Sequence, residues 1–231
     1  LVPFWTFHDA NWFLDVPTSA KTMLQFYAQD RGFTPDGVIF LNPGVMEDLL
    51  RVTGPVRPDK YQIDITADNF VAATEQQVQF NYDKALNNPK QFLIDLVPTM
   101  LTKLSRLSGP DAWRALALTL KRANQNDLMI YSGDEDYQQT VRKLGWDGSI
   151  MSVADDYLAV VDTSIGGGKT DRSIEEKVET IITLEGSVLR HTVAVTRTHQ
   201  GPADDSLAGA KNTSFVRVYA PADAQFAGIE G

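Results

Sequence analysis

Cysteine is absent from the 231-residue sequence. This absence excludes disulfide bonds, zinc–thiolate sites and thiol nucleophiles. A chain of this length buries enough apolar surface to fold without a covalent cross-link. Because cysteine-free proteins suit either side of a bacterial membrane, the compartment is left open by this observation.

Long hydrophobic runs are also missing, and no basic leader precedes an apolar segment. The sequence therefore predicts neither a membrane-spanning helix nor a signal peptide within these residues. The chain opens on Leu1 and an apolar, aromatic stretch over residues 1–7, which indicates a segment cut from a longer protein. We expect any targeting element to lie outside the chain.

Basic residues are scarce, with 21 Lys and Arg against 30 Asp and Glu and a net charge of −9. They are scattered along the chain, so we expect no nucleic-acid partner, because binding the phosphate backbone would require a cluster of basic residues.

The three histidines, His8, His191 and His199, lack the close helical spacing of metal ligands. No metal site is predicted.

The first 56 residues predict a helix, a strand and a second helix. Thr18 or Ser19 can cap the first helix, which runs to Arg31. Residues 38–41 are a short apolar strand of the kind that is covered on both faces, and Pro43 can open the second helix. The apolar positions of that helix face inward: Val45, Met46, Leu49 and Leu50.

Helices dominate the middle of the chain. Before them, the alternation of residues 61–65 predicts a strand with one wet face. Pro89 can open a long helix that Pro98 kinks, and Pro110 can open another. The predicted inward positions of these two helices are Phe92, Leu93, Leu96, Leu101, Leu104, Leu116 and Leu120. Two further elements follow, a strand at 128–131 and a helix at 137–144.

The character of the chain changes beyond about residue 156, where β-branched and aromatic residues alternate with glycine-bearing turns. Four antiparallel strands are predicted, at residues 157–163, 174–184, 188–198 and 215–219. The second has a one-sided but imperfect apolar pattern, which indicates that part of it projects beyond its core. The sequence thus predicts an α/β fold: a helix-rich layered domain over residues 1–155, lacking an N-terminal part, and an antiparallel β region over residues 156–231, either a hairpin or a sandwich.

A glycine-rich segment, Gly166–Thr170, resembles the end of a phosphate-binding loop. That motif requires a glycine where Thr163 stands and a helix where a strand is predicted. A connection between strands is the stronger interpretation, because a loop tolerates the backbone freedom of three glycines best.

No serine stands in the Gly-x-Ser-x-Gly elbow of a serine hydrolase. The sequence therefore predicts no catalytic residue.

Asp9, Asn11 and Asp15 form the strongest polar cluster, and they bracket Trp12 just before a helix start. Backbone amides and side-chain oxygens at such a place can bind a sugar, an anion or a hydrated cation. The structural alternative is stronger: Asp and Asn favour loops because they bond to neighbouring amides, and Trp12 can fill the core. A ligand-binding role for these three polar residues is kept as a hypothesis.

Six short segments in order resemble the bacterial domain-of-unknown-function family 4012. They are Asp-Ala-Asn-Trp at residues 9–12 with Asp15 and Pro17, LLRVTGPV at 49–56, ITADNF at 65–70, NNPKQFL at 87–93, the Gly-Gly-Lys loop near Lys169 and FVRVYAPADA at 215–224. The likeness extends over nearly the whole chain. It departs from the family pattern at Phe13 and Leu14, where Ser-Pro is expected.

This resemblance implies an extracytoplasmic cell-envelope protein of uncharacterised activity, tethered by a membrane segment outside this chain. The helix, strand and helix before residue 56 are also similar to the LytR-CpsA-Psr phosphotransferases, which attach lipid-linked glycopolymers to the cell wall. Such transfer requires cationic groups and usually Mg²⁺ at the leaving pyrophosphate. The matching arginine cluster is missing; Arg31 and Arg57 are the nearest basic candidates, and both suit a surface position better.

Two functions follow as alternatives. The first is a domain that binds or transfers a lipid-linked, polyprenyl pyrophosphate glycopolymer, with Mg²⁺ as cofactor only in the phosphotransferase-like case. It requires a lipid-sized apolar groove with basic residues at its mouth. The second is a non-enzymatic envelope or surface protein that contacts an envelope protein partner and exposes an apolar patch or a strand edge. The acidity of the chain favours the second.

Overall fold

The computed structural model describes residues 5–85, 88–150, 156–166, 170–205 and 208–231. The chain divides into two compact units. The helical unit comprises Thr6–Ile150, and the β unit comprises Met151–Gly231 with Leu1–Trp5. A mixed α/β fold is confirmed. The predicted domain boundary at residue 155 stays a prediction.

The helical unit contains helices α1–α6 and strands β1 and β2. In chain order they are α1 (Val16–Arg31), β1 (Gly37–Leu41), α2 (Pro43–Thr53), α3 (Phe70–Gln79), α4 (Gln91–Leu104), α5 (Gly109–Asn124), β2 (Leu128–Ser132) and α6 (Glu135–Lys143). A 3-10 turn, Phe7–Asp9, precedes α1. The two strands pair antiparallel, with Ile39 opposite Ile130. Within the described part of the chain, every helix is too short or too polar to cross a bilayer.

Two apolar clusters hold the helical unit together. The larger joins α2, α3 and α4, and its most buried members are Val56, Ile65 and Leu96. Burying a side chain of this size contributes about 1.5–3 kcal/mol. The smaller cluster joins α2, α5 and β2 through Val45, Ala123 and Leu128. Because α2 contributes to both clusters, it is the element on which the others are assembled.

Ion pairs centred on Arg122 fasten α2 to α5. Arg122 Nε lies 2.7 Å from Asp48 Oδ2, and its Nη1 lies 2.7 Å from Asp127 Oδ2. Asn42 donates from Nδ2 to Asp127 Oδ1 at 2.7 Å. Gly44 leaves room for the guanidinium, because a Cβ at that position would lie 2.9 Å from Arg122 Nη1. The network ties the start of α2, the end of α5 and the approach to β2 together.

The β unit contains two antiparallel pairs. Strand β3 (Ala159–Ser164) pairs with β6 (Ser214–Tyr219), and β4 (Ile174–Glu185) forms a hairpin with β5 (Val188–His199). Gly186 in the two-residue connection has φ 68°, a conformation that favours glycine in tight hairpin turns. The hairpin is exposed along most of its length, in agreement with the predicted projection.

Two predicted boundaries are wrong. Helix α1 begins at Val16, because Asp15 rather than Thr18 or Ser19 is its cap; the Asp15 carboxylate accepts from Thr18 N at 3.0 Å. Residues 61–65 do not form a strand, although residue 65 makes an isolated bridge to Val56. The reason is that no strand within the described ranges extends this bridge into a ladder, although burial still alternates along residues 61–65.

The predicted covering of β1 on both faces is also wrong. Ile39 is 62% exposed and Leu41 is 49% exposed. The sheet has two strands, β1 and β2. Helix α1 packs on both, whereas α5 and α6 pack on β2, so part of β1 is left exposed.

Three leucines predicted to face inward are exposed. Leu101 of α4 is 58% exposed, and Leu116 and Leu120 of α5 are 47% and 39% exposed. Helix α5 instead buries Ala115 and Ala123, because small side chains allow its close approach to α2. The other predicted inward positions of α4 are buried or half-buried, and the helix continues through Pro98.

Replacing Arg122 with Met is expected to destabilise the helical unit. The substitution keeps an apolar stem but leaves Asp48, which is 9% exposed, without this counter-ion. Breaking a half-buried network of this kind costs about 2 kcal/mol, measurable as a lower urea midpoint. Arg57→Met is the matched control, because Arg57 pairs with Asp64 where both side chains are about half exposed. Equal midpoints for the two variants would contradict the role given to Arg122.

Stability should also fall as the pH drops below about 4. Hydrogen bonds from Arg122 hold the pKa of Asp48 below its usual value, and bonds from Asn42 and Arg122 do the same for Asp127. As the pH falls, these two carboxylates bind protons in the unfolded chain before they do so in the folded chain. The stabilisation that they provide is complete above their pKa in the unfolded chain, and it is lost as the pH falls through their lower pKa in the folded chain. Urea midpoints over this pH range check the sign. The loss of stability at low pH should be smaller in Arg122→Met than in the parent protein. An equal loss would show that other carboxylates cause the acid sensitivity.

Candidate functional site

A cleft of 360 Å³ lies where the end of α3 and the start of α4 meet the connection between them. Its volume falls at the lower end of the range for small-molecule sites, about 300–1,000 Å³. The described residues that line it combine aromatic rings with carboxamides and include no Lys or Arg. This combination makes the cleft the candidate site.

Three aromatic rings form the apolar wall: Tyr61, Tyr82 and Phe92. Phe92 belongs to the larger core cluster, and its ring meets that of Tyr61 edge-on, with centroids 4.9 Å apart and an interplanar angle of 90°. Burial raises the pKa of Tyr61, and the neighbouring Asp95 raises it further. The Tyr61 hydroxyl therefore stays protonated at neutral pH. The contact with Phe92 of the core holds the Tyr61 ring in place.

Carboxamides form the polar wall, and hydrogen bonds orient them. Asn88 donates from Nδ2 to Gln91 Oε1 at 2.8 Å, and Gln91 donates from Nε2 to Asp95 Oδ1 at 2.9 Å. Lys60 Nζ lies 3.1 Å from both carboxylate oxygens of Asp95. Burial raises the pKa of Asp95, but the bonds from Gln91 and Lys60 outweigh it, so Asp95 remains an ionised acceptor. This series of hydrogen bonds fixes the orientation of the Asn88 and Gln91 side-chain amides.

The remaining polar groups are Gln77, Asn81 and Asp83. Carboxamides present donors and acceptors without net charge, and aromatic faces accept apolar C–H surface. A ring that carries hydroxyl or amide groups, such as a sugar, offers both kinds of surface. A pyrophosphate is poorly matched, because its recognition relies on cations that this lining lacks in the described residues.

The predicted ligand residues Asp9, Asn11 and Asp15 do not line this cleft. Asp9 accepts from Thr6 Oγ1 at 3.2 Å and closes a local turn, while Asn11 is exposed. Asp15 caps α1 and also accepts from Ile150 N at 3.2 Å. These contacts give both carboxylates a structural role. Ligand binding by the three residues stays a prediction.

Other candidate sites receive no support from the described parts of the chain. Those parts hold no group of three or more His, Asp or Glu that could bind a metal ion. Arg57 makes two bonds to Asp64, at 2.7 and 2.8 Å, and Arg31 is exposed at the end of α1. The centre of the predicted glycine-rich connection, residues 167–169, lies outside the described residues.

Sequence reasoning missed the cleft because its lining comes from three separate segments. One is Tyr61, one is residues 77–83, and one is residues 88–92. No periodicity marks such a set, since one segment contributes a single residue and each of the other two contributes four. The available signal was the density of amide and aromatic residues in QVQFNYD and NNPKQF.

Comparison with known proteins gives one match. The model of a family described as protein of unknown function, DUF4012, matches residues 3–78. The predicted family resemblance is confirmed over this first third of the chain, which includes Tyr61 and Gln77 of the cleft. Beyond residue 78 the resemblance stays a prediction. No curated protein and no solved structure matched the chain.

Asp15→Ala is expected to lower the stability of the helical unit by about 1 kcal/mol, because the variant loses the cap of α1. Thermal or urea unfolding followed by circular dichroism measures the change. Asn11→Ala is the matched control, since Asn11 is exposed in the same loop. If both variants unfold like the parent protein, the structural role of Asp15 is wrong and its ligand role gains support.

Proposed function

We propose that this protein, whose first third matches a family of unknown function, is a non-enzymatic domain that binds a neutral glycan in the cleft between α3 and α4. The observation that carries the proposal is the lining: the rings of Tyr61 and Tyr82, with Phe92 buried beneath them, share one cleft with carboxamides, and no Lys or Arg is among its described residues. Sugars present C–H faces for the rings and hydroxyl or amide groups for the side-chain amides.

The proposal includes a place outside the cytoplasm, in the cell envelope. Its support is the resemblance to a family of tethered envelope proteins, together with the match over residues 3–78. Wall glycans and lipid-linked glycopolymers are the sugars available there. A membrane tether outside these residues would hold the cleft within reach of them.

Binding is favoured over transfer of a glycopolymer. Transfer from polyprenyl pyrophosphate requires cationic groups, usually with Mg²⁺, where the leaving group departs. Lys60, which lies behind the Gln91 and Asp95 bonds, is paired with Asp95 at 3.1 Å, and no Lys or Arg is among the described residues of the lining. The polar groups of the lining are thus arranged for recognition, and the glycan portion of a lipid-linked polymer is the part they suit.

A second function, contact with a protein partner, is favoured by one observation in the β unit. Among the described residues, no third strand pairs with the β4–β5 hairpin, and each of its strands exposes aliphatic side chains. Isolated two-stranded hairpins are marginally stable, so an added strand would stabilise this one. This feature supports the non-enzymatic alternative and leaves the cleft available for a glycan.

Titration calorimetry with an N-acetylglucosamine tetramer tests the glycan proposal. We expect saturable binding by the parent protein and about tenfold weaker binding by Tyr82→Ala, since an aromatic contact is worth about 0.5–1.5 kcal/mol beyond its buried area. Tyr137→Ala is the matched control, because Tyr137 is 71% exposed on α6 of the same unit and does not line the cleft.

Two results would contradict the proposal. One is equal glycan affinity in Tyr82→Ala and Tyr137→Ala, which would place any binding elsewhere. The other is binding of polyprenyl pyrophosphate only in the presence of Mg²⁺, with none of the neutral tetramer. That second result would favour the phosphotransferase-like function.

A further inference from the structure

Helix α5 has two apolar faces, and only one of them is packed. Ala115 and Ala123 are buried against the rest of the helical unit. On the other side Trp113 is 72% exposed, and Leu116 and Leu120 are 47% and 39% exposed. Spacings of three and four residues place these large side chains in one stripe along the helix. The outer face of α5 is therefore an exposed apolar stripe headed by a tryptophan.

Basic residues border this stripe, although the chain as a whole is acidic. Residues 103–122 contain five Lys and Arg and one acidic residue, against a net charge of −9 for the chain. Arg114 and Lys121 each follow a member of the stripe by one position, so they lie along the same side of it. Both are exposed, as is Arg106 before the helix, and none of the three side chains makes an ion pair with a described residue.

We propose that the outer face of α5 lies on an anionic lipid surface. An amphipathic helix with Trp and Leu on one face and flanking Lys and Arg is the kind that settles at the headgroup boundary, about 5–10 Å deep. The 16-residue helix is about 24 Å long, so the whole stripe can lie parallel to that surface. This contact differs from the glycan cleft in both its residues and its ligand.

Charge decides between a lipid surface and a second copy of the chain. Two α5 helices packed through the same stripe would bring Arg114 and Lys121 close to the basic residues that border the stripe of the other copy, and like charges so placed repel. An anionic lipid surface instead attracts both Arg114 and Lys121. The acidic residues elsewhere oppose this attraction weakly, because salt at about 0.15 M screens charges beyond about 8 Å.

Vesicle co-sedimentation tests the proposal with the full chain. We expect binding to phosphatidylcholine vesicles that contain phosphatidylglycerol, weaker binding to pure phosphatidylcholine, and release by salt. Arg114→Ala with Lys121→Ala should weaken binding roughly 30-fold, since each basic residue near the surface is worth about fivefold. Leu116→Glu with Leu120→Glu should abolish it, while circular dichroism confirms folding, because both positions are exposed.

A matched control makes the same change on the β unit. Leu184 and Leu189 of the hairpin are 69% and 60% exposed, so Leu184→Glu with Leu189→Glu should leave vesicle binding unchanged. Blue-shifted tryptophan emission on binding, lost in Trp113→Phe, would place that residue at the lipid. The proposal is overturned by three results: no binding to anionic vesicles at low salt, equal loss in the hairpin control, or a dimer in sedimentation velocity that Leu116→Glu with Leu120→Glu dissociates.

Discussion

The ion-pair network of Arg122 with Asp48 and Asp127 is the constraint on which the helical unit depends. It joins α2 to α5 at 2.7 Å on each side of one guanidinium. Because α2 also contributes to the core with α3 and α4, the network links the helix that carries the exposed stripe to those that frame the cleft. Removing the cation would leave Asp48 to Arg51 and Asp127 to Asn42, and α2 and α5 would lose this link.

The two ligand surfaces inferred for the helical unit differ in chemistry, and the same assembly accounts for both. The cleft is aromatic and uncharged apart from Asp83 and the neutralised pair behind it, so it suits a sugar. The outer face of α5 is apolar, with Trp113 at its head, and is bordered by cations, so it suits an anionic surface. An envelope domain bound at a membrane by α5 would keep a glycan site on α3 and α4 available to polymers at that surface.

Local signals predicted most elements but not their outward faces. The turn at Gly186 and the β-branched runs beside it predicted the hairpin to within about a residue, because strand propensity and tight-turn chemistry act locally. The inward leucines of α5 were wrong, since periodicity alone cannot tell which of two apolar stripes meets a neighbour. The close approach of α2 selects the alanines. The cleft was missed because Tyr61, residues 77–83 and residues 88–92 meet only after folding.

The most direct test of the central claim is a chemical-shift map of the labelled full chain with the N-acetylglucosamine tetramer. The account predicts saturable shifts confined to the amides around Tyr61, Tyr82 and Gln91, with the side-chain amide of Gln91 among the largest. Shifts centred on the loop from Asp9 to Asp15, or no saturable shifts at all, would contradict it.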